Sequence, residues 1–211
     1  MTYIIKEIFY TLQGEGTNTG RPAVFCRFAG CNLWSGKERH RENAVCKFCD
    51  TDFVWNSTTD VGKFKSPDDL AKVVANEWPW QTGGKPLLVC TGGEPLLQLD
   101  VNLVKAFQAY GFEVAVETNG TLPAPDGIDW ICVSPKADTK LVLKEGHELK
   151  LIFPQEGATP EMFASLAFQS FFLQPMDGLE REKNTRLAIK YCKTQPQWRL
   201  SIQVHKIIGI R

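Results

Sequence analysis

Three cysteines set the chemistry open to this chain. Cys31, Cys46 and Cys49 follow the spacing C-x14-C-x2-C. The closing C-x2-C pair brings two thiolates into chelating reach on a tight turn, and a third thiolate just ahead of a loop can join them. Three thiolates leave one position of a tetrahedral metal or cluster open. Structural zinc normally takes four protein ligands, whereas iron–sulfur clusters are held by thiolates, and a three-cysteine cluster keeps one iron free for another ligand. Spacing alone leaves zinc open as well, with His40 in the intervening loop or Cys26 as the fourth ligand. Cys26, Cys90, Cys132 and Cys192 stand in apolar surroundings and read as small core residues.

A second chemical signal is Gly92-Gly93-Glu94-Pro95, directly after the apolar run 87–91. Glycines let a backbone approach a ligand, and a glutamate can pair with an ammonium group.

These residues need elements to hold them. Short apolar runs at 23–28, 87–91, 113–117, 130–133, 149–153, 171–174 and 201–205 read as buried parallel strands. Helix signals lie between them. Ser66-Pro67-Asp68-Asp69 is an N-cap with proline at the first helical position, Asp100 caps a helix ended by Gly111, Thr159-Pro160 starts another, and one more runs through about 180–194. Strands alternating with helices imply βαβ units, and such sheets gather ligands at the carboxyl ends of their strands. At those ends stand Thr91 to Glu94, Glu117 to Gly120, Ser134-Pro135-Lys136, and Gln174-Pro175-Met176-Asp177. Residues 32–45, polar and charge-rich, read as a loop insertion with a solvated surface.

Phe48 sits between Cys46 and Cys49, and Cys-Lys-Phe-Cys resembles the end of the radical S-adenosylmethionine (SAM) cluster motif. The resemblance continues in the Gly-Gly-Glu-Pro motif. The commoner form of that family has three residues between its first two cysteines; here there are fourteen. Within the family, Thr11 to Gly16, Arg21 to Arg27, Cys31-Asn32-Leu33 and Cys49-Asp50-Thr51 are similar to the 7-carboxy-7-deazaguanine synthases, with similarity along almost the full chain. Glycyl-radical activating enzymes are the nearest confusable group, and a non-catalytic zinc module is the reading from a different class.

The resemblance implies an α/β fold, an incomplete β/α barrel of parallel strands in a single domain over 1–211. It implies a 4Fe–4S cluster on Cys31, Cys46 and Cys49, SAM as cofactor, and Mg2+ on Thr51. The implied reaction takes hydrogen from C6 of 6-carboxy-5,6,7,8-tetrahydropterin, contracts its ring and releases ammonia. It places Leu12, Gln13, Gly14, Glu15, Arg27, Thr91, His205 and Arg211 at the substrate. SAM is assigned Phe48, Cys49, Asp50, Gly93, Glu94, Glu117, Asn119, Ser134, Pro135, Lys136 and Gln174 to Asp177. The residue types suit these roles. Gln13 both donates and accepts, Glu15 accepts from an amino-pyrimidine edge, and the Arg27 fork matches a carboxylate. His205 is expected near the end of a final strand, and Arg211 closes the sequence six residues later. A homodimer and a flavodoxin-type reductant are implied partners.

Bulk properties set limits. The 211 residues suit one domain, and 24 basic against 24 acidic residues give no electrostatic case for nucleic acid or anionic membrane. No apolar run approaches the ~20 residues that span a bilayer. Seven cysteines, with no signal peptide at the N-terminus, point to a reducing cytoplasm rather than a disulfide framework.

Overall fold

The computed structural model describes residues 2–80 and 83–211. Among them nine strands form one sheet: β1 (Tyr3–Leu12), β2 (Pro22–Phe28), β3 (Gly62–Phe64), β4 (Leu87–Gly92), β5 (Glu113–Thr118), β6 (Trp130–Val133), β7 (Glu145–Phe153), β8 (Ala167–Pro175) and β9 (Trp198–Leu200). Their order is β3-β1-β2-β4-β5-β6-β7-β8-β9. β1 pairs antiparallel with β2 and β3, and every pairing from β2 to β9 is parallel. The sheet stays open, because β3 and β9 are its two edges. This is the parallel, incomplete barrel expected from the resemblance.

Helices α1 (Pro67–Asn76) and α2 (Val101–Ala109) lie where the capping signals put them, and α3 (Arg181–Thr194) falls on the expected stretch 180–194. Ser66 Oγ accepts from the Asp69 N–H (3.4 Å) and Asp100 Oδ1 from the Leu103 N–H (2.9 Å), which satisfies donors the first turns leave open. Among the described residues no helix is long and apolar enough to cross a membrane.

Two expectations need correction. The run 201–205 is not a strand. β9 ends at Leu200, and Val204–Ile208 forms a short helix, α4, that stops at Gly209 in the left-handed conformation (φ 72°). The Val204 N–H is captured by the Gly14 carbonyl (3.0 Å), so tertiary pairing turns the chain away from the sheet edge. Thr159-Pro160 opens only a single turn, Pro160–Met162, because β8 begins at Ala167. β1 went unread because its alternation is broken by a register shift between Ile5 and Glu7.

Side chains alternate across a strand, so the sheet has two different faces. One is apolar throughout. Ile5, Val24, Cys26, Phe28, Leu88, Cys90, Val114 and Val116 meet Leu70, Val74, Leu103 and Phe107 of α1 and α2. Leu149, Leu151, Phe171 and Leu173 form a second cluster with Ala188 of α3. The opposite face carries Ala23, Leu87, Val89 and Ala115 at the strand starts. Further along these strands, the same face carries Arg27, Thr91 and Glu117. Arg27 is level with Thr91, and Glu117 with Cys132, which is in turn level with Glu148.

Candidate active site

That polar face forms one wall of a cavity of about 390 Å³. Leu12, Gln13, Gly14 and Glu15 reach it from the β1–β2 turn, Arg27, Thr91 and Glu117 from the sheet, and His205 and Arg211 from the C-terminal segment. Phe48, Cys49, Asp50, Thr51, Gly93, Asn119, Ser134, Lys136 and Gln174 to Asp177 also line it. Two residues expected at the site are not on its wall. Pro135 offers only its carbonyl, to Gln155 Nε2 (3.3 Å). Glu94 is fully buried, and its carboxylate accepts from the Leu96 N–H (3.0 Å), Thr118 Oγ1 (2.7 Å) and the Asn119 N–H (2.8 Å). Burial raises the Glu94 carboxyl above its ordinary range. Here Glu94 fastens one strand end to the next.

The sulfur end is built by the same motif. Gly92 (φ 137°) and Gly93 press against the backbone of Phe28 and Gly30, where a Cβ at either position would collide with a carbonyl oxygen. The Glu94 N–H donates to Gly30 O (2.9 Å). The glycines are therefore required for close approach of two strand ends, which fixes Cys31 beside them. Cys31, Cys46 and Cys49 all reach the cavity. A hydrogen bond from Cys46 holds the Cys49 thiol down to about 6, and the same contact together with burial pushes Cys46 up. Burial raises Cys31. Among the described residues no three His, Cys, Asp or Glu side chains converge closely enough to hold a single metal ion.

The 32–45 insertion is not simply a solvated loop. Its Arg41 donates from Nε to both Glu38 carboxylate oxygens (2.8 and 2.9 Å) and from Nη1 to the carbonyls of Lys47 (2.9 Å) and Cys49 (3.1 Å). The guanidinium also lies 4.0 Å from the centre of the Trp34 ring, and Trp34 lines the cavity. One arginine thus ties the insertion to the backbone on both sides of Phe48.

At the other end, a buried network joins the residues expected at the substrate. Lys150 on β7 is 4% exposed and donates to Glu15 Oε2 (2.5 Å) and Glu117 Oε1 (3.4 Å). Glu117 also accepts from Gln13 Nε2 (3.0 Å) and Thr91 Oγ1 (3.4 Å), and Glu15 from Gln203 Nε2 (3.0 Å). Glu117, expected beside SAM, is bonded instead to residues expected beside the substrate. Burial alone would raise Glu15; the charge and hydrogen bond of Lys150 outweigh it and hold the carboxyl at about 2. Lys150 went unread in the sequence. The signal was a lysine inside the apolar run LKLIF, since a lysine is buried almost only when paired.

Arg27 donates from Nε to Glu7 Oε1 (2.6 Å), and Arg211 pairs with the other oxygen of Glu7. Lys206 of α4 bridges Asp50 and Asp177 (2.6 Å to each). His205 packs on Gly14 so closely that a Cβ there would strike its ring. Lys136 donates to Ser134 Oγ (2.7 Å) and to Ser134 O (2.6 Å), and burial lowers its pKa.

The chain matches no family model. Over its whole length it is similar to curated proteins named 7-carboxy-7-deazaguanine synthase. It is 60% identical to that of Caulobacter vibrioides and 59% to that of Bradyrhizobium diazoefficiens, each alignment covering 100% of both chains. Among solved structures it resembles QueE from Escherichia coli, with a TM-score of 0.73 and 29% identity over 97% of this chain and 95% of that one.

Proposed function

Because the chain belongs to the 7-carboxy-7-deazaguanine synthase family, we propose that its cavity converts 6-carboxy-5,6,7,8-tetrahydropterin to 7-carboxy-7-deazaguanine. The reaction contracts the ring with loss of ammonia, which makes the enzyme a carbon–nitrogen lyase of queuosine and 7-deazapurine biosynthesis. One observation carries this reading: a single cavity holds three thiols at one end and the Gln13, Glu15 and Arg27 set at the other. Full-length identity to curated synthases favours it over a protein-activating enzyme or a zinc module.

The donor set fits the implied cofactors. Cys31, Cys46 and Cys49 would hold a 4Fe–4S cluster, since all three thiols reach one cavity and thiolates are the usual cluster ligands. When bound and reduced, the cluster supplies the electron that opens SAM for radical chemistry. Phe48, Gly93, Asn119, Ser134, Lys136 and Gln174 to Asp177 form the seat for SAM, and Glu94 shapes that seat through Thr118 and Asn119. Thr51 offers a hydroxyl to Mg2+, an ion that prefers oxygen ligands and keeps several waters. Arg27 pairs with the substrate carboxylate in exchange for Glu7. Gln13, Glu15 and Glu117 read the amino-pyrimidine edge. His205 and Arg211 close the wall and exclude water. We read residues 1–211 as one domain of a cytoplasmic homodimer, reduced by a flavodoxin-type donor.

The test is product analysis. Anaerobically reconstituted protein, given SAM, reductant, Mg2+ and the carboxypterin, is expected to yield 7-carboxy-7-deazaguanine and ammonia in equal amounts. Substrate returned unchanged by cluster-loaded protein would overturn the reading.

A further inference from the structure

We propose that Lys150 is the positioning residue that makes the cavity select a ring edge built of N–H donors, acting through the carboxylates of Glu15 and Glu117. The inference rests on the pterin reading above and adds to it the residue that sets specificity.

The charges at this end of the cavity do not balance. Glu15 comes from the β1–β2 turn, Glu117 from β5, Glu148 and Lys150 from β7, with the Cys132 thiol on β6 and His205 on α4. Glu148 is already engaged, accepting from the Thr17 N–H (2.8 Å) and the Cys132 thiol (3.4 Å). That leaves two carboxylates facing one lysine. Each carboxylate has about four lone-pair sites, and the bonds made to Glu15 and Glu117 leave acceptor capacity on both.

Burial raises Glu15, so without a cation between these two half-buried carboxylates Glu15 takes up a proton and becomes a donor. Lys150 prevents this. Burial alone would lower its pKa, and the carboxylates of Glu117 and Glu15 outweigh burial and raise it well above the usual lysine value. The pair therefore presents acceptors only. An acceptor-lined wall receives the exocyclic amino group and ring N–H of an aminopyrimidine, and it meets a ring carrying a carbonyl there with unpaired lone pairs. Sites built to hydrogen-bond a particular group reject the analogue lacking it far more strongly than apolar pockets do. A lysine suits the task, since its ammonium directs separate N–H bonds to carboxylates on two different elements.

The experiment measures binding. Cluster-loaded protein with SAM is titrated with 6-carboxypterin and with its 2-oxo counterpart, 6-carboxylumazine. Wild type is expected to prefer the amino ring by about tenfold or more. Lys150→Gln should lose about tenfold for the amino ring, keep its affinity for the oxo ring within about twofold, and weaken further as pH falls from about 8 to 6, when Glu15 takes up a proton. Lys150→Arg should recover part of the preference. Where Lys150→Gln fails to fold, Glu15→Gln/Glu117→Gln is compared with the same pair carrying Lys150→Gln, which leaves no orphan charge on either partner. A residue acting through these two carboxylates adds little to their loss, so the two proteins should discriminate alike. A further independent loss in the triple variant overturns the role. So does an unchanged preference in Lys150→Gln. A wild type that binds neither ring overturns the pterin reading itself, and the role of Lys150 with it.

Discussion

A thiol ligates iron only as thiolate, and position sorts the cysteines: Cys31, Cys46 and Cys49 line the cavity together from one loop. Cys26 and Cys90 lie in the core, where burial pushes both thiols up. Cys132 touches the cavity, yet burial and then the neighbouring Glu148 raise it well above the ordinary range. Iron and sulfide per chain, measured after anaerobic reconstitution, should therefore fall to background in Cys31→Ala, Cys46→Ala and Cys49→Ala. The same measurement should stay at the wild-type level in Cys26→Ala, Cys90→Ala, Cys132→Ala and Cys192→Ala. Full iron in Cys46→Ala would sink the assignment. The sequence made the thiols legible because C-x2-C is local. It left Lys150 and the true engagement of Glu94 hidden, since both depend on partners from other strands: Glu15 lies 135 positions from Lys150. Gly92 and Gly93 have a second role beside the approach to a ligand. Their freedom serves contact between strand ends, a contact that only the parallel pairing of β2 and β4 reveals.

At the level of elements, the insertion and α4 are where sequence reading fell short. Residues 32–45 are charged, and charged loops read as solvated, but Arg41 spends its donors on backbone carbonyls of the cysteine loop. Hydrogen bonds from a charged donor contribute about 1.5–3 kcal/mol when buried and less at partial exposure. Arg41→Ala should accordingly leave the melting temperature almost unchanged. Amide exchange at residues 46–51 should speed up, and cluster reconstitution should slow by about two- to fivefold. Unaltered exchange would remove the role assigned to Arg41. The helix α4 is held by Lys206 across Asp50 and Asp177. The Lys206 hydrogen bond holds Asp177 below its ordinary value. A carboxyl with a depressed folded pKa contributes stability above its unfolded value, about 3.9, and loses it as pH falls through the depressed value. At this exposure the contribution is about 1 kcal/mol or less. Proteolytic release of the C-terminal segment should stay constant from about pH 8 to 5 and rise below about 4. In Lys206→Met the release should be fast throughout and lose most of that acid step. An identical profile in both proteins would contradict the clasp.

For the molecule as a whole, alternation of apolar runs with capped helices was enough to read a parallel α/β sheet. Openness came from the family resemblance; strand order and the two unlike faces were not readable, because they are set by pairings between distant segments. Those faces divide the labour of the chain. The helix-covered face supplies the cores, and the other face with the strand ends supplies the cavity. Stability and ligand binding should therefore be separable by mutation. Phe107 on α2 is fully buried among Leu70, Val74 and the strands. Phe107→Ala removes that packing and should cost about 3–5 kcal/mol, a large part of the 5–15 kcal/mol that a domain commonly has. The urea midpoint should drop accordingly, while the folded fraction binds 6-carboxypterin within about twofold of wild type, since no cavity residue has lost a partner. Glu94→Gln should behave differently. Gln replaces one carboxylate oxygen with a donor that faces either the donors of Leu96 and Thr118 or that of Asn119. The mismatch should cost about 1–3 kcal/mol, less than the phenylalanine loses, yet weaken SAM binding by about tenfold, because Asn119 on the cavity wall shifts with it. Equilibrium unfolding together with SAM titration of the two variants provides the check. If both lose stability and affinity in the same proportion, the sheet does not separate the two tasks.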